Sequence, residues 1–178
     1  MRKCSSVVVL TFMILAIVCQ YPLCLYGQDK NAPSAPVPAQ LQTAKRIFIS
    51  NGGADAIAAE WLGRDDALPY NLVFNRAKSS GRYELVLAPA DADLVWYVKF
   101  VVSTTASGMP HSSTSPDYHP QLRLTIVDPK THIVLWTMTT KVETAMLHST
   151  LVKNVETAVD ALLRKLTAVA APPTSSTQ

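Results

Sequence analysis

A single apolar stripe near the C-terminus is the sequence feature that most constrains the fold. Its members recur at steps of three and four residues, which is the spacing of one face of an α-helix; they are Leu147, Leu151, Val155, Val159, Leu162, Leu166 and Val169. A helix with one apolar face has to bury that face against another element. We therefore predict a long amphipathic C-terminal helix of about five turns that packs on a sheet.

The segments before this helix supply the strands of such a sheet. Five of them are rich in β-branched or aromatic residues and are bounded by turn residues; they are residues 45–50, 82–88, 94–102, 121–127 and 132–141. The third is apolar on both sides except at Lys99, which is typical of a central strand. The last two are separated by Asp128-Pro129-Lys130-Thr131, a sequence that suits a type I turn and predicts a hairpin.

Two shorter helices are predicted between the first and second strands. Asp55 can cap a helix that ends at Leu62, because an aspartate side chain accepts from the free N–H groups of a first turn. Pro69 suits the first position of another helix, and Gly81 suits its left-handed C-terminal cap. The order of elements predicts an α+β fold, with a largely antiparallel sheet of about five strands, helices packed on one face and the long C-terminal helix.

Residues 1–27 have the pattern of a secretory signal peptide. Arg2 and Lys3 precede an apolar run at residues 7–18, which is shorter than the roughly 20 residues that a spanning helix needs. We expect cleavage after Gly27 and a periplasmic or extracellular mature chain that meets the membrane only through this leader. Two alternatives stay open, an uncleaved N-terminal anchor and lipidation at a leader cysteine, although the large residues before those cysteines disfavour lipidation.

The remaining chain divides by composition into a Pro/Ala-rich linker at residues 28–43, one α+β domain at residues 44–169 and a disordered tail at residues 170–178. The three cysteines of the 178-residue chain all lie in the leader, and the formal net charge of +3 falls to about +1 without it. This composition excludes a disulfide scaffold, a cysteine-ligated metal site, a cysteine nucleophile and a strongly basic nucleic-acid binder. We expect no cofactor and no nucleic-acid partner.

Two groups of polar residues could bind a small ion. Asn51, Gly52 and Gly53 stand between a strand and a helix, where main-chain N–H groups can form an anion cradle, although a tight turn followed by a helix cap is the simpler explanation of the glycines. His111, Asp117 and His119 fall in a long Ser/Thr/Pro-rich loop predicted at residues 103–120, and imidazole with carboxylate is a metal-ligand set. Their spacing matches no compact metal motif, so solvated loop residues are the simpler interpretation and no metal site is assigned.

Catalytic patterns are absent or incomplete. No Gly-x-Ser-x-Gly elbow occurs in the sequence, which disfavours a serine hydrolase. A hydrolase that uses aspartate and histidine from loops stays open as an alternative, and it requires two titratable groups to share a pocket; the candidates are Asp91, Asp93, His111, Asp117 and His119.

Aromatic residues suggest a further alternative, a carbohydrate site. Trp96 and Trp136 occur inside apolar strands, where core packing is the better explanation. Trp61 lies on a short helix, and Tyr118 lies in the predicted loop. If a sugar is bound by stacking, we expect Trp61 and Tyr118 to be involved.

Several segments resemble an uncharacterised family of exported acidobacterial proteins. They are GRYELV at residues 81–86, PADADLV at 89–95, PQLRLTIVDPKTHIVLW at 120–136 and FISNGG at 48–53. More distantly, the chain is similar in architecture to small envelope lipoprotein domains and to the N-terminal domain of the Tol–Pal translocation protein B. These resemblances imply an exported location and a fold, and they imply no catalytic residue.

The sequence therefore favours an exported, non-enzymatic domain of the bacterial envelope. We expect it to bind an envelope partner, protein or glycan, through an exposed sheet face or the 103–120 loop. The alternatives are the loop hydrolase and a purely structural role. Candidate contact residues for a ligand or partner are Asn51, Gly52, Gly53, Trp61, His111, Asp117, Tyr118 and His119.

Overall fold

The computed structural model of the protein describes residues 36–105 and 117–171. Within these ranges the helices are α1 (Ala39–Thr43), α2 (Ala56–Trp61), α3 (Leu68–Ser80) and α4 (His148–Val169). The strands are β1 (Arg46–Ala54), β2 (Glu84–Leu85), β3 (Leu94–Thr105), β4 (Asp117–Val127) and β5 (Val134–Lys141), and a 3-10 turn spans Pro89–Asp91.

The five strands form one sheet in the order β2-β1-β3-β4-β5. β1 pairs in parallel with β2 and with β3. The longer pairings, between β3 and β4 and between β4 and β5, are antiparallel. The predicted α+β class and five-strand sheet are confirmed, and the sheet is mixed because α2 and α3 form a crossover that returns the chain in its original direction.

One face of the sheet carries the core, and we call it the inner face. Its side chains and the apolar stripe of α4 are almost fully buried; they include Ile47, Trp96, Phe100, Leu122, Leu124, Ile126, Val155, Val159 and Leu162. The predicted stripe is confirmed from Leu151 to Leu166. Leu147 is an exception, with 68% exposure, because it precedes the first turn of α4.

The opposite face of the central strand is open among the described residues. In β3, burial alternates from Trp96 onward, so that Tyr97 and Lys99 are exposed while Val98 and Phe100 are buried. β3 does lie between β1 and β4, as predicted for a central strand. Tyr97 and Lys99 are exposed because no described element packs over them.

The predicted turn at Asn51-Gly52-Gly53 is part of a strand. β1 continues to Ala54, and its register with β3 shifts between Asn51 and Ala54, which is a β-bulge. Gly53 has φ +70° and its N–H donates to Asn51 Oδ1 at 2.8 Å. The local turn chemistry is therefore as predicted, but pairing with β3 keeps the segment in the sheet.

The bounds of other elements also differ from the predictions. Ordered structure includes α1, ahead of the expected start near Ala44, and Leu41 of this helix is buried in the core. β2 covers two residues rather than residues 82–88. β3 and β4 extend into the predicted 103–120 loop, up to Thr105 and from Asp117. The residues between them, 106–116, lie outside the described part of the chain.

The local motifs behave as the sequence predicts. Asp55 caps α2, its Oδ1 accepting from the N–H of Ala58 at 2.8 Å. Pro69 lies in the first turn of α3, and Gly81 ends that helix at φ +63°. At the hairpin between β4 and β5, the Asp128 side chain accepts from the N–H of Lys130 at 2.9 Å.

Candidate functional site

Two rows of side chains run across the open face of the sheet. The strand register places Ser50, Tyr97, Thr125 and Thr137 in one row. It places Lys99, Arg123 and Thr139 in the next. Adjacent rows are two residues apart along each strand, about 7 Å. We call these seven residues the outer face, and Tyr97, 43% exposed, lies at its centre.

Lys99 and Arg123 are direct partners across the β3–β4 pairing. Both side chains are exposed, and neither forms an ion pair within the described residues. Like charges at directly opposite positions repel, because their Cβ atoms are only about 5 Å apart. The next row holds Lys141, whose Nζ is 3.2 Å from Glu143 Oε1. The middle of the outer face is thus a site of uncompensated positive charge.

The β1 bulge lies beside this pair of cations. Gly52 and Gly53 stand between the residues that pair with Val98 and Phe100, so they oppose Lys99. A Cβ at Gly52 would lie 2.9 Å from the carbonyl oxygen of Val98 and 3.3 Å from Cβ of Lys99. The bulge therefore leaves the face without side chains next to Lys99. At the start of α2, the Asp55 side chain accepts from the N–H of Ala58, in agreement with the preferred interpretation of a turn followed by a helix cap.

An apolar groove adjoins the outer face at the other side of Tyr97. It has a volume of about 450 Å³, and its lining is formed by Pro89, Ala90, Val95, Tyr97, Val127, Pro129 and His132. Near it in sequence, Leu87 and Ile133 are 94% and 60% exposed. The polar outer face is therefore bordered on one side by an apolar groove.

Trp61 and Tyr118 lie together, as the sugar-stacking alternative requires. Their ring centroids are 5.7 Å apart and the rings are tilted by 54°. Tyr118 belongs to β4 rather than to a loop, and it faces α2. In this tilted contact each ring packs against the other, an arrangement that is common between aromatic side chains.

Asp117 and His119 also lie in β4, contrary to their predicted loop position. His119 Nε2 is 2.9 Å from Thr105 Oγ1 and 3.4 Å from Asp117 Oδ2. A hydroxyl–imidazole–carboxylate relay uses both ring nitrogens, one for each partner. Here both partners meet the same nitrogen, so this group cannot act as such a relay. His111 lies outside the described residues.

Asp91 and Asp93 are remote from this group. They precede the first residue of β3, whereas Asp117 pairs with its last residue, Thr105. The length of β3 separates them by about 35 Å. Hydrogen bonds from the main-chain N–H groups of Arg46 and Lys45 hold the pKa of Asp93 below its usual value. The candidate hydrolase residues that the structure describes are therefore divided between the two ends of β3.

Among the described residues, no three His, Cys, Asp or Glu side chains are grouped so that they could hold a metal ion. No helix in this part of the chain is both long and apolar enough to span a membrane. Sequence reasoning missed the outer-face residues Tyr97, Lys99 and Arg123. The sequence does mark Lys99 as the one charge in an apolar strand. The sequence does not show the strand register, which places Lys99 directly beside Arg123.

No known family model matches the chain, and no curated protein is significantly similar to it. Solved structures with a similar fold include XCC0632 of Xanthomonas campestris, from family DUF330, with 14% identity over 74% of this chain and 86% of that chain and a TM-score of 0.46. A point variant of the PelC dodecamer of Paraburkholderia phytofirmans has 14% identity, coverages of 74% and 95%, and a TM-score of 0.48.

The lipoprotein GNA1162 of Neisseria meningitidis is also similar, with 10% identity, coverages of 70% and 99%, and a TM-score of 0.35. These neighbours thus include a protein that is named as a bacterial lipoprotein. At these identities the similarity is one of fold and transfers no activity.

Proposed function

We propose that this chain is an exported, non-enzymatic domain that binds a partner of the cell envelope through its outer face. The observation that carries the proposal is the asymmetry of β3. Helices bury one side of this strand, which carries Trp96, Val98 and Phe100. The other side carries Tyr97 and Lys99 and is exposed. A large aromatic ring and two cations, carried at neighbouring backbone positions of one sheet, form a surface suited to recognition.

The proposed location rests on the sequence of the leader. The mature chain would begin at Gln28, outside the cytoplasmic membrane. N-terminal sequencing of the protein recovered from the periplasm or medium tests this part, and a chain that begins at Met1 would contradict it. Binding without catalysis is favoured because Asp91 and Asp93 lie about 35 Å from Asp117 and His119, at the opposite end of β3.

Retention on envelopes tests the binding surface. The chain, expressed from its full sequence with the leader, is incubated with washed envelopes of the source organism and sedimented. We expect the wild type to sediment and the variant Tyr97→Thr/Lys99→Gln/Arg123→Gln to stay in solution. A control variant, Lys153→Gln/Arg164→Gln, removes two exposed cations of α4 and should sediment as the wild type does. Equal retention of all three proteins would refute binding through the outer face.

A further inference from the structure

We infer that the partner of the outer face is a linear polysaccharide that carries carboxylate groups, with Lys99 and Arg123 as the contacts for the carboxylates and Tyr97 as a platform for a sugar ring. This inference rests on the proposed function and specifies the chemistry of its partner.

The positive charges of Lys99 and Arg123 favour an anionic ligand on the outer face. β1, β3 and β5 contain no acidic residue, and the one acid of β4, Asp117, is its first residue. Asp117 lies six positions before Arg123, a distance of about 20 Å along the strand. That exceeds the Debye length of about 8 Å at physiological salt, so Asp117 does not neutralise Arg123. A carboxylate between Lys99 and Arg123 would replace their repulsion by two charge-assisted hydrogen bonds.

The surroundings of the two cations favour a sugar over a protein surface. The other outer-face side chains are Ser50, Tyr97, Thr125, Thr137 and Thr139. Hydroxyl groups both donate and accept, so they can pair with the hydroxyls of a sugar. The centre of a protein interface is instead apolar and depleted of lysine. The exposed aliphatic residues Leu87, Ile133 and Val134 lie outside the two rows.

The geometry of the sheet suits an extended chain. Tyr97 and Lys99 are two residues apart on β3, so the ring and the charge lie about 7 Å apart on the same side. Arg123 stands beside Lys99 on the neighbouring strand. On the other side of Lys99, Gly52 and Gly53 present no side chain. A polymer that crosses the row of cations therefore meets no steric obstacle at β1.

Polygalacturonate is a suitable probe, because it is an unbranched polymer with one carboxylate on each sugar. Calorimetric titration of the chain, expressed from its full sequence, should show binding of polygalacturonate that weakens as salt is raised. Neutral dextran should not bind. Polyglutamate, which offers carboxylates on a peptide, should bind at least about tenfold more weakly than polygalacturonate.

Matched variants assign the binding to the outer face. Lys99→Gln/Arg123→Gln should weaken polygalacturonate binding by about tenfold or more, whereas Lys153→Gln/Arg164→Gln, with the same change in net charge, should not. Tyr97→Phe should retain binding and Tyr97→Thr should lose it, since only the first keeps the ring. Unchanged circular dichroism of each variant shows that folding is intact.

Absence of polygalacturonate binding, or binding of polyglutamate that is equal or tighter, would overturn this inference. An equal loss of binding in the α4 control would also overturn it. If the wild-type chain still sediments with envelopes in a way that depends on the outer face, the proposed function stands and only the sugar-acid assignment fails.

Discussion

Asp93 accepts a hydrogen bond from the main-chain N–H of Arg46 at 2.9 Å, and the same carboxylate oxygen accepts from the N–H of Lys45 at 3.0 Å. These bonds join the residue before β3 to the start of β1. They lower the pKa of Asp93, because they stabilise its ionised form. Asp128 has a lowered pKa for a similar reason, chiefly the hydrogen bond from the N–H of Lys130.

Both aspartates should make stability depend on pH in the acid range. A carboxyl group with a lowered pKa in the folded state contributes its full stabilisation above the unfolded pKa of about 3.9, and this is lost as the pH falls through the folded value. Urea denaturation between pH 2.5 and 7 should therefore show a falling midpoint below about pH 4.

The variants Asp93→Asn and Asp128→Asn should each be less stable than wild type at pH 7 and should lose less stability on acidification. Asp66→Asn is the control, because Asp66 is exposed and has no hydrogen-bond partner among the described residues. An acid transition of the same steepness in Asp93→Asn and wild type would show that these hydrogen bonds do not cause it.

Reversal of one charge on the outer face should separate stability from binding. In Lys99→Glu, the glutamate stands opposite Arg123, so a repulsive pair becomes attractive. We expect stabilisation of about 0.5 kcal/mol, which is small because both side chains are exposed. Polygalacturonate binding should be lost in the same variant. The measurements are urea denaturation and titration, and a less stable Lys99→Glu would argue against repulsion between Lys99 and Arg123.

The hydroxyl of Thr140 is buried on the inner face without a hydrogen-bond partner in the described structure. Thr140→Val keeps the shape and removes this unsatisfied group, so we expect stabilisation of about 1 kcal/mol in urea denaturation. Thr139→Val, at the exposed neighbouring position, should change stability by less than about 0.5 kcal/mol. Destabilisation by Thr140→Val would indicate that the hydroxyl has a partner in solution, such as a buried water molecule.

The two glycines of the bulge should differ in their tolerance of a side chain. A Cβ at Gly52 would meet the carbonyl oxygen of Val98 at 2.9 Å, so Gly52→Ala forces a shift of main chain and should cost about 1–3 kcal/mol. Gly53→Ala meets no neighbouring atom, and its cost is the strain of the left-handed φ, about 1–2 kcal/mol. Crystal structures would separate the two cases. We expect β1 to move away from β3 only in Gly52→Ala.

The features that the sequence predicts well depend on residues close together in the chain. The apolar stripe of α4, the cap at Asp55, the left-handed Gly81 and the Asp128 turn each need only a few neighbours to be recognised. The predicted turn at Asn51-Gly52-Gly53 shows the opposite case. Its residues have the chemistry of a turn, but pairing with β3, more than forty residues away in sequence, extends the strand through them.

The candidate site depends on register, and register is not encoded locally. Tyr97, Lys99 and Arg123 lie on two strands separated by the segment 106–116. Only the pairing of β3 with β4 makes Lys99 and Arg123 neighbours, and a shift of one residue would turn Arg123 to the inner face. The polar start of β4, with Pro120 in it, has the composition of a loop. Pro120 is nevertheless paired, and its carbonyl accepts from the N–H of Val142 at 2.9 Å.

The parallel pairing of β1 has a consequence for the order in which the sheet can form. The β4–β5 hairpin closes over residues 128–133, whereas β1 meets β3 only after the excursion 55–93. Longer closures lose more chain entropy before any pairing compensates for it, so we expect pulsed hydrogen exchange to find β4 and β5 protected before β1. Simultaneous protection would contradict this order. In a chain synthesised from its N-terminus, β1 is thus made first, and apart from its two-residue pairing with β2 it has no strand partner until β3 has followed it out of the ribosome.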